Sequence, residues 1–234
     1  RTVDIADNLE QEEAWNAGLN ITFYIPIAGK QLTLIGEYYQ TNFNNQVVVD
    51  MDSNPHAISF YNLGDGKSYT NSSQIEMSYP FFKGFTFTAA YRWTKSISDY
   101  TNPSTGVVTR LDKPLLNDYK GLATASYQTP LGKWQFDLTA QFNGGGRMPT
   151  PDSMESLWNE TFSSHTVVNG QITKYFRNWN IYVGVENLFD YRQDNPIVDA
   201  ANPRSDNFDA TIIWDTVHGR KFFGGLRYTL PRII

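Results

Sequence analysis

The chain has 234 residues, a formal net charge of -5, a sequence pI ≈ 5.2, 15% aromatic and 18% charged residues, and a mean hydropathy of -0.45. That balance leaves no basic patch to neutralise phosphates, which argues against nucleic acid as a partner, and zero cysteines exclude a disulfide scaffold, a thiolate metal site and a thiol nucleophile. No apolar run approaches the roughly 20 residues of a membrane-spanning helix, whereas 15 Phe, 14 Tyr and 6 Trp suit the aromatic girdles of a membrane β-barrel. In such barrels the lipid-facing and lumen-facing residues alternate along each strand and cancel in any hydropathy window.

The opening Arg1-Thr2-Val3-Asp4 carries no initiator Met, basic leader or apolar leader segment and reads as an internal start. From Trp15 every second residue is apolar (Trp15, Ala17, Leu19, Ile21, Phe23, Ile25), the period of a strand with two unlike faces. The same period returns in Phe85, Phe87, Ala89, Tyr91 and Trp93 against Thr86, Thr88, Ala90, Arg92 and Thr94. It returns again in Trp134, Phe136, Leu138, Ala140 and Phe142 against Gln135, Asp137, Thr139, Gln141 and Asn143. Similar runs start near Gln31, Ser68, Lys120, Ser164, Trp179 and Lys221, giving about nine strands close to the 9–11 residues of a tilted membrane strand.

The connections alternate in length. Ile27-Ala28-Gly29-Lys30, Phe82-Lys83-Gly84, Pro130-Leu131-Gly132-Lys133 and Arg177-Asn178 are tight turns. Between them run long polar connections over 44–67, 98–114, 145–163 and 191–219. Turns on one rim and loops on the other are the arrangement of outer-membrane barrels, turns periplasmic and loops extracellular. On this count residues 1–11 enter from the extracellular rim. An odd number of strands with termini on opposite rims cannot close alone, so a further segment is expected to complete the wall, because an open edge in lipid leaves backbone groups unsatisfied.

The stretch Asn180-Ile181-Tyr182-Val183-Gly184-Val185-Glu186-Asn187-Leu188-Phe189-Asp190-Tyr191-Arg192 resembles the penultimate strand of TonB-dependent outer-membrane receptors. His218-Gly219-Arg220-Lys221-Phe222-Phe223-Gly224-Gly225-Leu226-Arg227-Tyr228 is similar to their last strand, in the form found in the Bacteroidetes. The Asn195-Pro196-Ile197 and Phe142-Asn143-Gly144-Gly145-Gly146-Arg147-Met148-Pro149 stretches fit the same group, so that the resemblance covers nearly the whole chain. The final Pro231-Arg232-Ile233-Ile234 depart from the aromatic or apolar ending such receptors often carry. The resemblance implies an all-β, antiparallel transmembrane barrel of about 22 strands with a plugged lumen, of which this chain is the C-terminal wall. It also implies an N-terminal plug and a link to TonB, ExbB and ExbD, none of which lies in these residues. Outer-membrane lipid and lipopolysaccharide are the expected surroundings. A surface lipoprotein partner is compatible with the group, though nothing in the sequence requires one.

For chemistry the sequence offers little. His56, His165 and His218 share no ligand spacing, and Asp50, Asp52 and Asn54 imitate a calcium loop whose required Gly and Glu are replaced by Pro55 and Tyr61. No nucleophile elbow or paired-carboxylate motif is present, so neither an enzyme nor a cofactor is expected. Gly144-Gly145-Gly146-Arg147 reads either as an anion cradle or as a strand end needing conformational freedom. Ligand contacts are expected from Tyr61, Arg147, Trp158, Arg204, Trp214 and His218 in the loops, and plug or lumen contacts from Glu37, Arg92, Asp137, Gln141 and Arg227. Uptake of a scarce large ligand (ferric siderophore, haem, cobalamin or oligosaccharide) is the leading expectation. A passive porin or a structural or adhesion barrel without a plug is the alternative, and a soluble β-sandwich is disfavoured by the outward apolar stripes.

Overall fold

A computed structural model describes residues 1–54, 56–101, 106–149 and 160–230. Among the described residues fifteen strands follow one another: β1 (Thr2–Ile5), β2 (Glu13–Ile27), β3 (Lys30–Asn45), β4 (Val47–Asp50), β5 (Ala57–Asn62), β6 (Ser68–Phe82), β7 (Phe85–Thr101) and β8 (Val108–Asp112). Then come β9 (Tyr119–Gln128), β10 (Trp134–Asn143), β11 (Gly146–Arg147), β12 (Thr161–Phe162), β13 (His165–Tyr175), β14 (Trp179–Glu186) and β15 (Lys221–Tyr228). Nine of them form one antiparallel path in the order β2, β3, β6, β7, β9, β10, β13, β14, β15, with β8 added beside the end of β7. Each strand pairs with its neighbour along this path, as hairpin-connected barrel strands do.

The turns explain how the chain reverses. Ile27 pairs with Lys30 across Ala28 (φ 49) and Gly29 (φ 74), two consecutive left-handed residues whose twist matches the flanking strands. At the next turn Gly84 has φ 86, and a Cβ there would sit 2.1 Å from the carbonyl oxygen of Gln128. Only glycine satisfies both the conformation and the close approach.

Because directly opposed residues share a face, the register sorts the sheet. On one face Phe23 opposes Leu34, Leu34 opposes Met77, Ala89 opposes Ala123, Leu138 opposes Gly170 and Ile181 opposes Leu226. On the other, Ser78 opposes Thr88, Thr124 opposes Thr139, Asp137 opposes Gln171 and Asn180 opposes Arg227. Hydroxyls hydrogen-bond across the strands of this polar face at Ser78–Thr88 (3.1 Å) and Thr124–Thr139 (3.2 Å). Towards the long connections the first face turns polar too: Tyr38 is followed by Gln40 and Asn42, and Trp93 by Lys95. The strands therefore outrun the apolar belt, and β7, with 17 residues, exceeds the about 9–11 a membrane crossing takes.

A water-soluble sheet would cover its apolar face, yet Leu19 is 60%, Val183 57% and Leu226 66% exposed. Buried apolar clusters lie instead above the belt, among the connections: Val48, Leu63 and Tyr100 in one, Met148, Phe162, Val198 and Ile212 in the other. Aromatic rings gather at the short-turn end, where Phe82 stacks on Phe85 (4.9 Å) and Phe176 on Trp179 (4.0 Å). The described parts of the long connections are folded. Residues 44–67 contribute β4 and β5, which form a three-stranded sheet with β1, and β7 and β8 make a hairpin of what the sequence reads as the loop 98–114.

Candidate functional site at the loop rim and the polar face

Arg147 stands at the centre of the rim. Its Nη1 and Nη2 donate to the two carboxylate oxygens of Asp52 at 2.7 and 2.9 Å, and its Nε donates to the carbonyl of Asp112 at 2.7 Å. Both members are nearly enclosed, with side chains 15% and 10% exposed. Burial alone would lower the guanidinium pKa, but the hydrogen bonds and charge of Asp52 outweigh it and hold Arg147 above its ordinary value. The guanidinium also lies over the Tyr100 ring at 5.9 Å. One side chain thus ties three connections together.

Tyr61, in β5, belongs to the same assembly. Its hydroxyl donates to Asp50 (3.3 Å) and accepts the backbone N–H of Thr101 (3.4 Å). Burial, reinforced by the nearby Asp50 charge, pushes its pKa well above the usual phenol range. Asp50 is spent locally, accepting from the N–H groups of Asp52 (2.8 Å) and Ser53 (2.9 Å) and from the Ser53 hydroxyl (2.6 Å). The carboxylates that imitate a calcium loop are therefore occupied by the loop's own donors and by Arg147. Among the described residues no three of His, Asp and Glu are grouped to hold a metal.

The glycines before Arg147 serve close packing. None of the three has a positive φ, but a Cβ on Gly146 would lie 2.2 Å from the Leu116 carbonyl oxygen and 2.6 Å from the Phe162 ring. On Gly145 it would lie 2.6 Å from the Phe162 carbonyl. Gly146→Ala is expected to cost about 1–3 kcal/mol by overpacking against backbone that cannot yield. Faster amide hydrogen exchange in β11 and residues 113–118, with the barrel strands unchanged, is the readout.

Trp214 stacks on Phe162 (4.4 Å) and lies 5.8 Å from His165, pinning the last long connection to β12 and β13. His165, which no spacing marked out, is buried here; its ring stacks on Tyr191 (4.3 Å) and its Nε2 contacts Asp215 and Asn143. Arg204 and His218 are exposed, and His218 borders a polar recess of about 380 Å³ with Lys120, Gln141, Asp215 and Lys221. Trp158 and the final Pro231-Arg232-Ile233-Ile234 lie outside the described residues. Arg1, at the other end of the chain, reaches the same last connection through Asp209 (2.7 Å).

Glu37, Arg92, Asp137, Gln141 and Arg227 fall on one and the same polar face. Asp137 is held by the Ser126 hydroxyl (2.7 Å) and by Gln135 (3.0 Å), whose own amide oxygen accepts from Tyr175 (2.8 Å). The register also aligns a transverse row of directly opposed residues, Asn20, Glu37, Gln74, Arg92, Lys120, Asn143 and His165, across seven strands. Alternation could reveal each member's face, but only the register shows that they form a row.

An exposed apolar belt, a polar opposite face, turns at one end and folded connections at the other define part of the wall of an outer-membrane β-barrel. The family model described as TonB dependent receptor-like, beta-barrel matches residues 2–188, and the chain belongs to that family. Among solved structures it is similar to the ferric enterobactin receptor PfeA of Pseudomonas aeruginosa, with 17% identity and a TM-score of 0.64 over 94% of this chain and 31% of that one. It is also similar to the FrpB iron transporter of Neisseria meningitidis (13%, TM-score 0.61, 97% and 32%). A third likeness is to the ferric-catecholate import receptor Fiu of E. coli K12 (13%, TM-score 0.61, 94% and 28%). The chain spans about a third of the length of these proteins. No curated protein sequence matches it.

Proposed function

We propose that this chain is the C-terminal wall of a receptor that takes up a scarce, large ligand across the bacterial outer membrane at the expense of energy relayed by TonB. The observation that supports this most is the two-faced, nine-stranded path, whose apolar belt suits lipid and whose polar face suits a filled lumen. On this reading residues 1–11 and the connections 44–67, 98–114, 145–163 and 191–219 face the outside. The remaining strands and the plug come from the rest of the receptor, and TonB, ExbB and ExbD act through that part. The chain transports and does not catalyse.

The rim divides the labour of capture. Arg147, Tyr61 and Trp214 hold the connections in shape, whereas Arg204 and His218 are open to a ligand. A ferric siderophore, haem, cobalamin or an oligosaccharide is the cargo class, and the iron receptors it resembles make ferric chelates the first to try. Deleting the gene and following accumulation of labelled ferric chelates, haem, cobalamin and oligosaccharides tests the reading. Loss of one cargo, reproduced by depleting TonB, is expected. Accumulation indifferent to TonB would instead identify a passive barrel.

A further inference from the structure

Arg92 and Lys120 oppose each other directly on the polar face, in the middle of the transverse row. Residues so placed have Cβ atoms about 4.5–5.5 Å apart, and like charges there repel. Both are exposed, and among the described residues neither side chain makes a hydrogen bond or ion pair. Together they border a recess of about 350 Å³ whose wall includes Gln74, Glu76, Gln141 and Asn143. Ala90, between Glu76 and Leu122 in the register, leaves room at its floor.

We infer that Arg92 and Lys120 are the cationic half of a carboxylate-binding site that a group outside this chain completes. This rests on the reading that the polar face lines the lumen. Two cations beside one carboxylate, Glu76, leave a single positive charge, which one monoanion balances and a phosphate dianion would exceed. The guanidinium fork suits both oxygens of a carboxylate, the ammonium adds a point charge, and the amides of Gln141 and Asn143 can donate to the same group. The carboxylate can belong to an Asp or Glu of the domain filling the lumen, or to a free molecule in transit.

A zero-length carbodiimide, which joins an amine to a carboxylate already in contact, separates these sources in the full-length receptor. The expected result is a Lys120 link to an Asp or Glu outside residues 1–234, lost in K120Q and several-fold weaker in R92Q. With no such link, acetate should raise the Tm of the wild type over chloride at equal ionic strength and leave R92Q/K120Q unmoved, which assigns the site to a free carboxylate. A Lys120 link to Glu76 or Glu37, or neither link nor acetate effect, overturns the inference. Nitroxide labels on Y91C, R92C, W93C and T94C report the face independently. If those at 92 and 94 collide with oxygen dissolved in lipid, the lumen reading itself has failed.

Discussion

Arg147→Ala is expected to cost about 3–5 kcal/mol in the stability of the loop rim, the penalty for removing the guanidinium from a buried ion pair. The pair earns this ranking by geometry and burial. Asp52 receives both fork nitrogens, and both side chains are at most 15% exposed. The Arg110–Asp99 pair is as short, 2.7 Å, but its guanidinium is 54% exposed, so solvent screens it and its loss should matter far less. Arg147→Lys keeps the charge and loses the fork, so most of the cost should remain. Replacing both partners, as in D52L/R147M, should cost less than the sum of the two single losses, because the pair is removed as a unit. Hydrogen exchange of residues 44–67 and 106–118 measures the effect, with the barrel strands as internal control. A double variant as damaging as the sum of its singles would show that Arg147 and Asp52 act independently.

The second large effect is expected at Asn187. It ends β14 with φ 53, a conformation that costs an ordinary residue about 1–2 kcal/mol and that Asn tolerates. Its side chain then closes the turn in both directions, donating to the Tyr191 carbonyl (2.7 Å) and accepting the Tyr191 N–H (2.9 Å). Its own N–H donates to the Asn169 side chain (2.9 Å), and the residue is only 5% exposed. Asn187→Ala is therefore expected to cost about 3–5 kcal/mol: the left-handed penalty plus two lost hydrogen bonds with buried groups unpaired. Asn187→Gly should recover the conformational part alone. The check is the urea midpoint of the refolded full-length barrel. If Gly and Ala at 187 prove equally harmful, the backbone conformation is not what selects Asn.

Asn187 also shows what a motif match means physically. The Asn-Leu-Phe-Asp segment resembles a receptor signature, and in the structure both polar members brace the chain for its departure from the sheet. Asp190, at φ 59, accepts the Arg220 N–H (2.6 Å), which holds its carboxyl below the usual range and fastens the far end of the last long connection beside β15. No ligand is needed to account for either residue.

The strands were legible because membrane strands write two faces into every pair of neighbours. The runs expected from Ser68, Phe85, Trp134, Trp179 and Lys221 begin at those residues in β6, β7, β10, β14 and β15, and the one expected near Ser164 begins at His165. The polar members of the wall were legible for the same reason. The rim was not. Arg147 and Asp52 lie 95 positions apart, Arg1 and Asp209 lie 208 apart, and no local period encodes a contact between connections. The Gly144-Gly145-Gly146 run shows the same limit. Its composition points to freedom of the backbone, while its cause is a carbonyl and a ring brought close by residues far along the chain.

The central claim, that this sheet stands in a membrane with its apolar face to lipid, is tested most directly by a nitroxide scan along β10 of the receptor in lipid bilayers. Labels at 134, 136, 138, 140 and 142 should collide with lipid-dissolved oxygen, and those at 135, 137, 139 and 141 should not. Equal accessibility on both faces, or water-soluble relaxation agents reaching the labels at 136 and 138, would contradict it.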